Sequence, residues 1–212
     1  MLGLRVEQAK HKQGYSYVIG CDEVGRGCLA GPVVAASVIL ESGIRNHEVW
    51  FKDIKDSKLL SASKREVLDP LIKRYAVAWS VGVVSPKVID VVNIHHASLR
   101  AMRIALGKLS VYRVSEKLSY SSFLFVDGKH PIPNINIQQE AVINGDAKIF
   151  SIAAASILAK VYRDELMRKL HVKLPQYGFN NHKGYATLEH REAIIKFGLS
   201  DIHRRSFCGQ YA

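Results

Sequence analysis

Residues 17–40 read YVIGCDEV, GRGCLAGP and VVAASVIL in three successive blocks of eight. β-Branched and aromatic residues dominate the first half of the opening block, which predicts a strand over 17–24. Three glycines and a proline make 25–32 a turn or loop. The third block predicts a second strand over 33–40, near enough to the first for a hairpin. Two acids, Asp22 and Glu23, therefore stand where the first strand runs into a glycine-rich loop.

Outward from this hairpin, residues 75–84 (YAVAWSVGVV) predict a third strand. Ser85-Pro86 then reads as a helix start, with Ser85 as cap and Pro86 in the first turn. Leu99, Met102, Arg103 and Leu106 recur at helical spacing within 95–109. Short strands are expected over 121–126, ending at Asp127-Gly128, and over 135–143, ending at Asn144-Gly145-Asp146. A helix is expected from Ile149 to about His171. Its first half is apolar nearly all round and should be buried against a sheet, whereas the second half, YRDELMRKL, should lie on the surface. A last helix is expected over 187–197, between Thr187 as cap and Gly198 as stop. The order of elements predicts an α/β domain with a mixed sheet. No linker divides 1–212, so a single catalytic domain with a helical C-terminal region from about residue 170 is expected.

Lysine and arginine total 30 against 19 acidic residues, a formal net charge of +11. An excess of this size suits an anionic partner such as nucleic acid. The charge is spread from Lys10 and Lys12 through Lys52, Lys55 and Lys58 to Arg204 and Arg205, as a folded basic surface requires and a charged tail does not. Nearly half the residues are hydrophobic, so a sizeable core can form. The longest apolar stretch, Ile149 to Val161, is too short to cross a bilayer. Cys21, Cys28 and Cys208 have no metal-binding spacing and read as reduced thiols, with a cytoplasmic location expected.

The acids Asp22, Glu23, Asp127 and Asp146 all stand at expected strand ends, beside Gly25, Gly128 and Gly145. Converging carboxylates repel one another unless cations neutralise them. An all-oxygen ligand set selects magnesium or manganese, and a pair of such ions can drive in-line phosphodiester hydrolysis. Each acid taken alone reads first as an ordinary turn residue. Asp22 and Glu23 point to opposite faces of a regular strand and share a site only if the strand ends or bulges there.

The run Asp22-Glu23-Val24-Gly25-Arg26-Gly27, with Leu29-Ala30-Gly31-Pro32-Val33-Val34-Ala35-Ala36, resembles the signature of the ribonuclease HII family. Further segments agree in order: Asp56-Ser57-Lys58-Leu59-Leu60-Ser61, Val126-Asp127-Gly128, Gly145-Asp146, Ser151 through Val161, and Arg163-Asp164. Tyr177-Gly178-Phe179, His182-Lys183-Gly184-Tyr185 and His203-Arg204-Arg205-Ser206-Phe207 complete the match, which spans Val18 to Phe207. The resemblance implies an α/β ribonuclease H-like fold with a five-stranded mixed sheet flanked by helices, plus a helical C-terminal part. It implies an endonuclease acting on RNA–DNA hybrids and on ribonucleotides embedded in DNA duplexes. Asp22, Glu23, Asp127 and Asp146 would bind two Mg2+ or Mn2+ ions. Gly25, Arg26 and Gly27 would meet the ribonucleotide from the minor-groove side with Tyr185 beside them, and Lys58 and Ser156 would contact phosphates.

The chemistry of these residue types suits those roles. Glycines let the backbone approach a sugar and bond its 2′-hydroxyl, the group that separates RNA from DNA. Tyr185 offers a flat face and a hydroxyl, or else is a half-buried core residue. Arg26 is either functional or a solvated loop charge, and Ser151 and Ser156 are open to a packing role. His95 and His96 read as capping or packing residues rather than metal ligands, and Cys21 should face the core. His203 to Arg205 is open between a solvated and a DNA-contacting segment.

Departures from the family pattern are Leu59 for a frequent lysine and Cys28 for a frequent proline. A chain ending soon after Phe207 carries no visible sliding-clamp motif, and a monomer is expected. The Gly-Arg-Gly loop and the absence of an added N-terminal domain argue against the related ribonuclease HIII. Two other functions compete. A nonenzymatic nucleic-acid binder on this fold should have lost a carboxylate, and a DNA exonuclease leaves the Gly-Arg-Gly loop without a purpose.

Overall fold

The computed structural model describes residues 2–40, 49–54, 57–109 and 121–211. Five strands form one sheet: β1 (Tyr17–Val24), β2 (Val33–Leu40), β3 (Ala76–Val84), β4 (Ser122–Asp127) and β5 (Gln138–Val142), in the order β3-β2-β1-β4-β5. β1 and β3 run antiparallel to β2, while β4 lies parallel to β1 and β5 parallel to β4. Among the described residues the α-helices are α1 (Arg5–Lys12), α2 (Ala62–Tyr75), α3 (Pro86–Leu109), α4 (Phe150–Lys173), α5 (Phe179–His182) and α6 (Leu188–Phe197). The five-stranded mixed sheet flanked by helices is thus as expected from the sequence. The last strand is shorter than 135–143, because Ile135 and Ile137 leave the ladder to pack on the α3 side.

Alternation along the strands divides two cores. Val34, Ala36, Val38 and Leu40 of β2 face α2 and the apolar half of α4. Val33, Ala35 and Ile39 face α3. Every residue of β2 is buried, as a strand covered on both faces requires. Each large helix crosses the sheet at a glycine. A Cβ on Gly20 of β1 would stand 2.1 Å from the Ser151 carbonyl carbon at the start of α4, and one on Gly82 of β3 would stand 2.0 Å from the Ala101 carbonyl oxygen of α3. Gly20 thus permits the close packing, against the backbone of Ser151.

Three local features exceed what periodicity could disclose. α3 breaks at Asn93 (φ 64°, ψ 168°), whose Oδ1 accepts from the His96 amide at 3.2 Å and caps the second helical segment. This reconciles a helix start at Pro86 with strong periodicity only from about 95. The N-cap of α4 is Ile149, which has no capping oxygen; instead Glu7 of α1 accepts from the Ser151 amide at 2.8 Å. α2 forms despite an internal Pro70, with Ser61 accepting from the Lys64 amide as its cap. The second half of α4 is not a simple surface segment, because Arg163 and Met167 are fully buried. Met167 packs with Ala30, Tyr177, Phe179 and Ala193, which joins the helical C-terminal part to the loop after β1. No helix among the described residues is long and apolar enough to cross a membrane.

Candidate active site

Parallel pairing of β1 with β4 has Cys21 opposite Val126 as its last pair, so Asp22 and Asp127 follow side by side at the carboxyl ends of two adjacent strands. β1 remains paired to β2 as far as Val24, leaving Asp22 and Glu23 with a free edge on the β4 side. The Asp22 carboxylate bends forward along its own chain, accepting from the Glu23 amide at 2.7 Å. This is how two neighbours on a strand share one site: carboxylate oxygens of Asp22, Glu23 and Asp127 lie within 4.8 Å of one another. Cys21, between them and the core, is fully buried as expected and accepts a hydrogen bond from Ser37.

Asp127 Oδ1 accepts from the Gly145 amide at 2.6 Å and so ties the end of β4 to the turn carrying Asp146. Gly145 keeps this turn close, since a Cβ would stand 2.5 Å from Ile152 Cδ1, which would have to shift, and 3.2 Å from that same carboxylate oxygen. Asp146 is buried, outside the close group of three but near enough for its charge to act on Asp22. Burial first, then the charges of Glu23 and Asp127, push the Asp22 carboxyl well above the usual carboxylate range, against a hydrogen bond from Ser156. Burial also raises Glu23, partly offset by Arg26, which donates to Glu23 Oε1 at 2.9 Å. Excess negative charge held by oxygen donors alone fits one or more divalent cations of the magnesium or manganese type.

The loop after β1 rests on two buried arginines. Arg204 donates to the carbonyls of Gly25 (2.6 Å), Arg26 (2.8 Å) and Gly31 (3.0 Å). Arg163 donates to those of Pro32 (3.0 Å), Ala30 (3.2 Å) and Lys183 (2.9 Å). Gly25 has φ 92° and lies against Arg163, with only 2.2 Å between a Cβ there and Nε. Gly27 is exposed, with nothing within 4 Å of the place a Cβ would occupy. Arg26 is exposed beside it. Tyr185 is brought alongside because Gly184 accepts from the Leu29 amide at 2.9 Å. Tyr185 is 40% exposed, and its hydroxyl meets Cys28. Behind it, His190 Nδ1 donates to the Tyr185 carbonyl at 2.8 Å, and His190 and His203 share a 3.1 Å contact between Nε2 atoms.

Ser156 is buried in a 2.8 Å hydrogen bond with Ser57, next to Asp22. Ser57 is itself held by Arg65, which donates to its carbonyl at 2.8 Å. Asp56 and the Lys58 side chain lie outside the described residues. The segment 203–205 is neither wholly solvated nor a DNA-facing strip. His203 and Arg204 are buried under the Gly25–Gly31 loop and only Arg205 is exposed. The supporting roles of Arg163 and Arg204 had no signal in periodicity, since an arginine in an amphipathic or basic run looks solvated. His95 packs edge to face on His130 at 4.8 Å, close to the carboxylates, which local spacing did not disclose.

The family model of ribonuclease HII matches residues 19–210. The ribonuclease HII of Syntrophus aciditrophicus is 50% identical over 208 residues, covering 98% of this chain and 92% of its own. That of Desulfotalea psychrophila is 48% identical, covering 96% and 86%. Among solved structures, ribonuclease H2 from Pyrococcus horikoshii superposes with a TM-score of 0.68 at 27% identity, over 92% of this chain and 96% of that one. Ribonuclease HII of Archaeoglobus fulgidus, solved as a complex with PCNA, gives 0.67 at 28% identity, over 89% and 93%.

Proposed function

The chain belongs to the ribonuclease HII family and is a ribonuclease H, and we propose that it incises DNA duplexes 5′ of an embedded ribonucleotide as well as cutting RNA in hybrids, leaving 3′-hydroxyl and 5′-phosphate ends. The observation that carries this reading is the adjacency of three carboxylates to an open glycine loop held by buried arginines. Asp22, Glu23, Asp127 and Asp146 would hold two divalent ions, Mg2+ or Mn2+. Such ions, when bound, supply water activation and neutralise charge on the leaving oxygen.

The rest falls to the protein. Arg204 and Arg163 occupy carbonyls on the inner side of the loop, which fixes its backbone while Gly27 stays uncovered for a sugar to approach. Polar backbone groups of residues 25–27 are then positioned to bond a 2′-hydroxyl, and a deoxyribose would leave them unpaired. Tyr185, with its hydroxyl near Cys28, sets its ring against the sugar next to the one being read. Ser156 and Ser57 steady Asp22, and Lys58 contacts a phosphate. The C-terminal helical part belongs to the same catalytic unit, because it supplies both Arg204 and Tyr185.

The test is cleavage of a duplex carrying one ribonucleotide beside its all-DNA twin, with product ends mapped. Cleavage 5′ of the ribonucleotide with 3′-hydroxyl ends, and none of the twin, is expected. Equal cutting of both, or a cyclic phosphate product, would overturn the reading.

A further inference from the structure

A pocket of about 380 Å³ opens beside the carboxylates. Glu23 and Asp127 line one part of it; Arg26, His95, Lys129 and His130 line another, and α3 completes the wall. We propose that this pocket seats a backbone phosphate neighbouring the one that is cut, bound by His95, Lys129 and His130. The proposal rests on the reading of the carboxylates as the cleavage centre.

The unused donors in the lining point to an anion. Glu23 Oε1 is engaged by Arg26, and Asp127 Oδ1 by the Gly145 amide. Among the described residues, His95, Lys129 and His130 have neither a hydrogen bond nor an ion pair, although each is a donor and all three line the one pocket. His95 meets His130 at 4.8 Å and His96 at 5.3 Å between ring centroids. Three donors without protein partners, gathered beside the carboxylates, are suited to hold a phosphate.

Chain geometry explains the gathering. Gly128, at φ 104°, turns the chain directly after Asp127, so that Lys129 and His130 stand exposed at the carboxyl end of β4. The break in α3 at Asn93 starts a new helical segment whose first turn carries His95 to the same place. A strand whose cleaved phosphate sits at Asp22 and Asp127 would meet these three side chains at an adjacent linkage. The other wall of the site, where Gly27 and Tyr185 stand, is left for the sugar.

The experiment compares the parent protein with Lys129→Ala and with His95→Ala/His130→Ala, on a duplex carrying one ribonucleotide. KM should rise about five- to twentyfold with little change in kcat. The slope of log kcat/KM against log salt should flatten by up to about one in either variant, since a single phosphate is held. Substrates with one neutral methylphosphonate linkage, moved position by position around the cleavage point, locate the phosphate. At one position the neutral linkage should slow the parent and leave the variants unaffected. Unchanged KM and salt slope in both variants would overturn the proposal, as would equal slowing of parent and variants at every position. Lys129 is on an exposed turn, so its variant reports on binding even if the histidine pair disturbs folding. A parent that cleaves nothing would sink the underlying functional reading, whereas an active parent with unaffected variants sinks the phosphate pocket alone.

Discussion

On the proposed function, single residues in this site divide into those that would touch substrate and those that hold the chain in place, and substitutions should separate the two. Asp127→Asn retains an oxygen for the Gly145 amide while removing a charge from the carboxylate group. Cleavage should fall by orders of magnitude with the fold intact; single-turnover rates with a thermal melt check this, and a folded, fully active variant removes Asp127 from the mechanism. The two loop glycines should fail differently. Gly25→Ala places a side chain at φ 92° against Arg163, and should cost about 1–3 kcal/mol of stability. Gly27→Val places its Cβ in open space, so its melting temperature should stay near the parent's while its rate on a single-ribonucleotide duplex collapses. Tyr185→Phe should lose less activity than Tyr185→Ala, since it keeps the ring. Should Gly27→Val keep the parent's rate and its selectivity over all-DNA duplex, the loop does not sense the sugar.

Elements are held in register by polar groups that reach between them. Glu7 caps α4 from another helix, so Glu7→Ala should cost about 1 kcal/mol in urea unfolding. Glu7→Gln keeps an acceptor oxygen and should cost less. The C-terminal part is tied down by histidines kept neutral. His190 Nδ1 donates to the Tyr185 carbonyl, and His203 Nδ1 accepts from the Ser200 amide, which leaves a proton only on His203 Nε2 to bridge the two rings. Burial drives both rings down to about 4. Because the folded value lies below the unfolded one, their contribution is present above about pH 6.5 and is lost as pH falls towards 4. One such ring is worth on the order of 3 kcal/mol over that window. Melting temperature should therefore drop across pH 6.5 to 4, and His190→Gln should flatten the profile. A parent melt that is level across this range would contradict the neutral pair.

Across the molecule as a body, two opposite charge patterns coexist, a net charge of +11 and a local excess of carboxylates. Asp22 and Glu23 are both raised, so charging them opposes folding as pH rises through their folded values when no cation is bound. Mg2+ or Mn2+ should consequently raise the melting temperature at neutral pH, and Asp127→Asn should show a smaller rise. Affinity for hybrid duplex should weaken as potassium chloride increases, because bound lysines and arginines release counterions from the nucleic acid. An affinity that stays level with salt would remove the basic surface from any account of binding.

The strands, α3 and α4 were legible in the chain alone, because their composition is written locally: β2 from VVAASVIL, a continuous β-branched run, and the buried half of α4 from IFSIAAASILAKV, an apolar run rich in small residues; α1 and α2 were not. So were the acids to watch, since Asp22, Glu23, Asp127 and Asp146 all stand at strand ends beside glycine. Folding in three dimensions was needed to bring Asp22 and Glu23 to one point, because that depends on β1 parting from β4 after Cys21 and on a carboxylate bending along its own backbone. It was needed, too, to make Arg163 and Arg204 buried braces rather than solvated charges. The loop carbonyls that each of them holds lie more than a hundred residues away in the chain, and no local pattern encodes an acceptor at that separation.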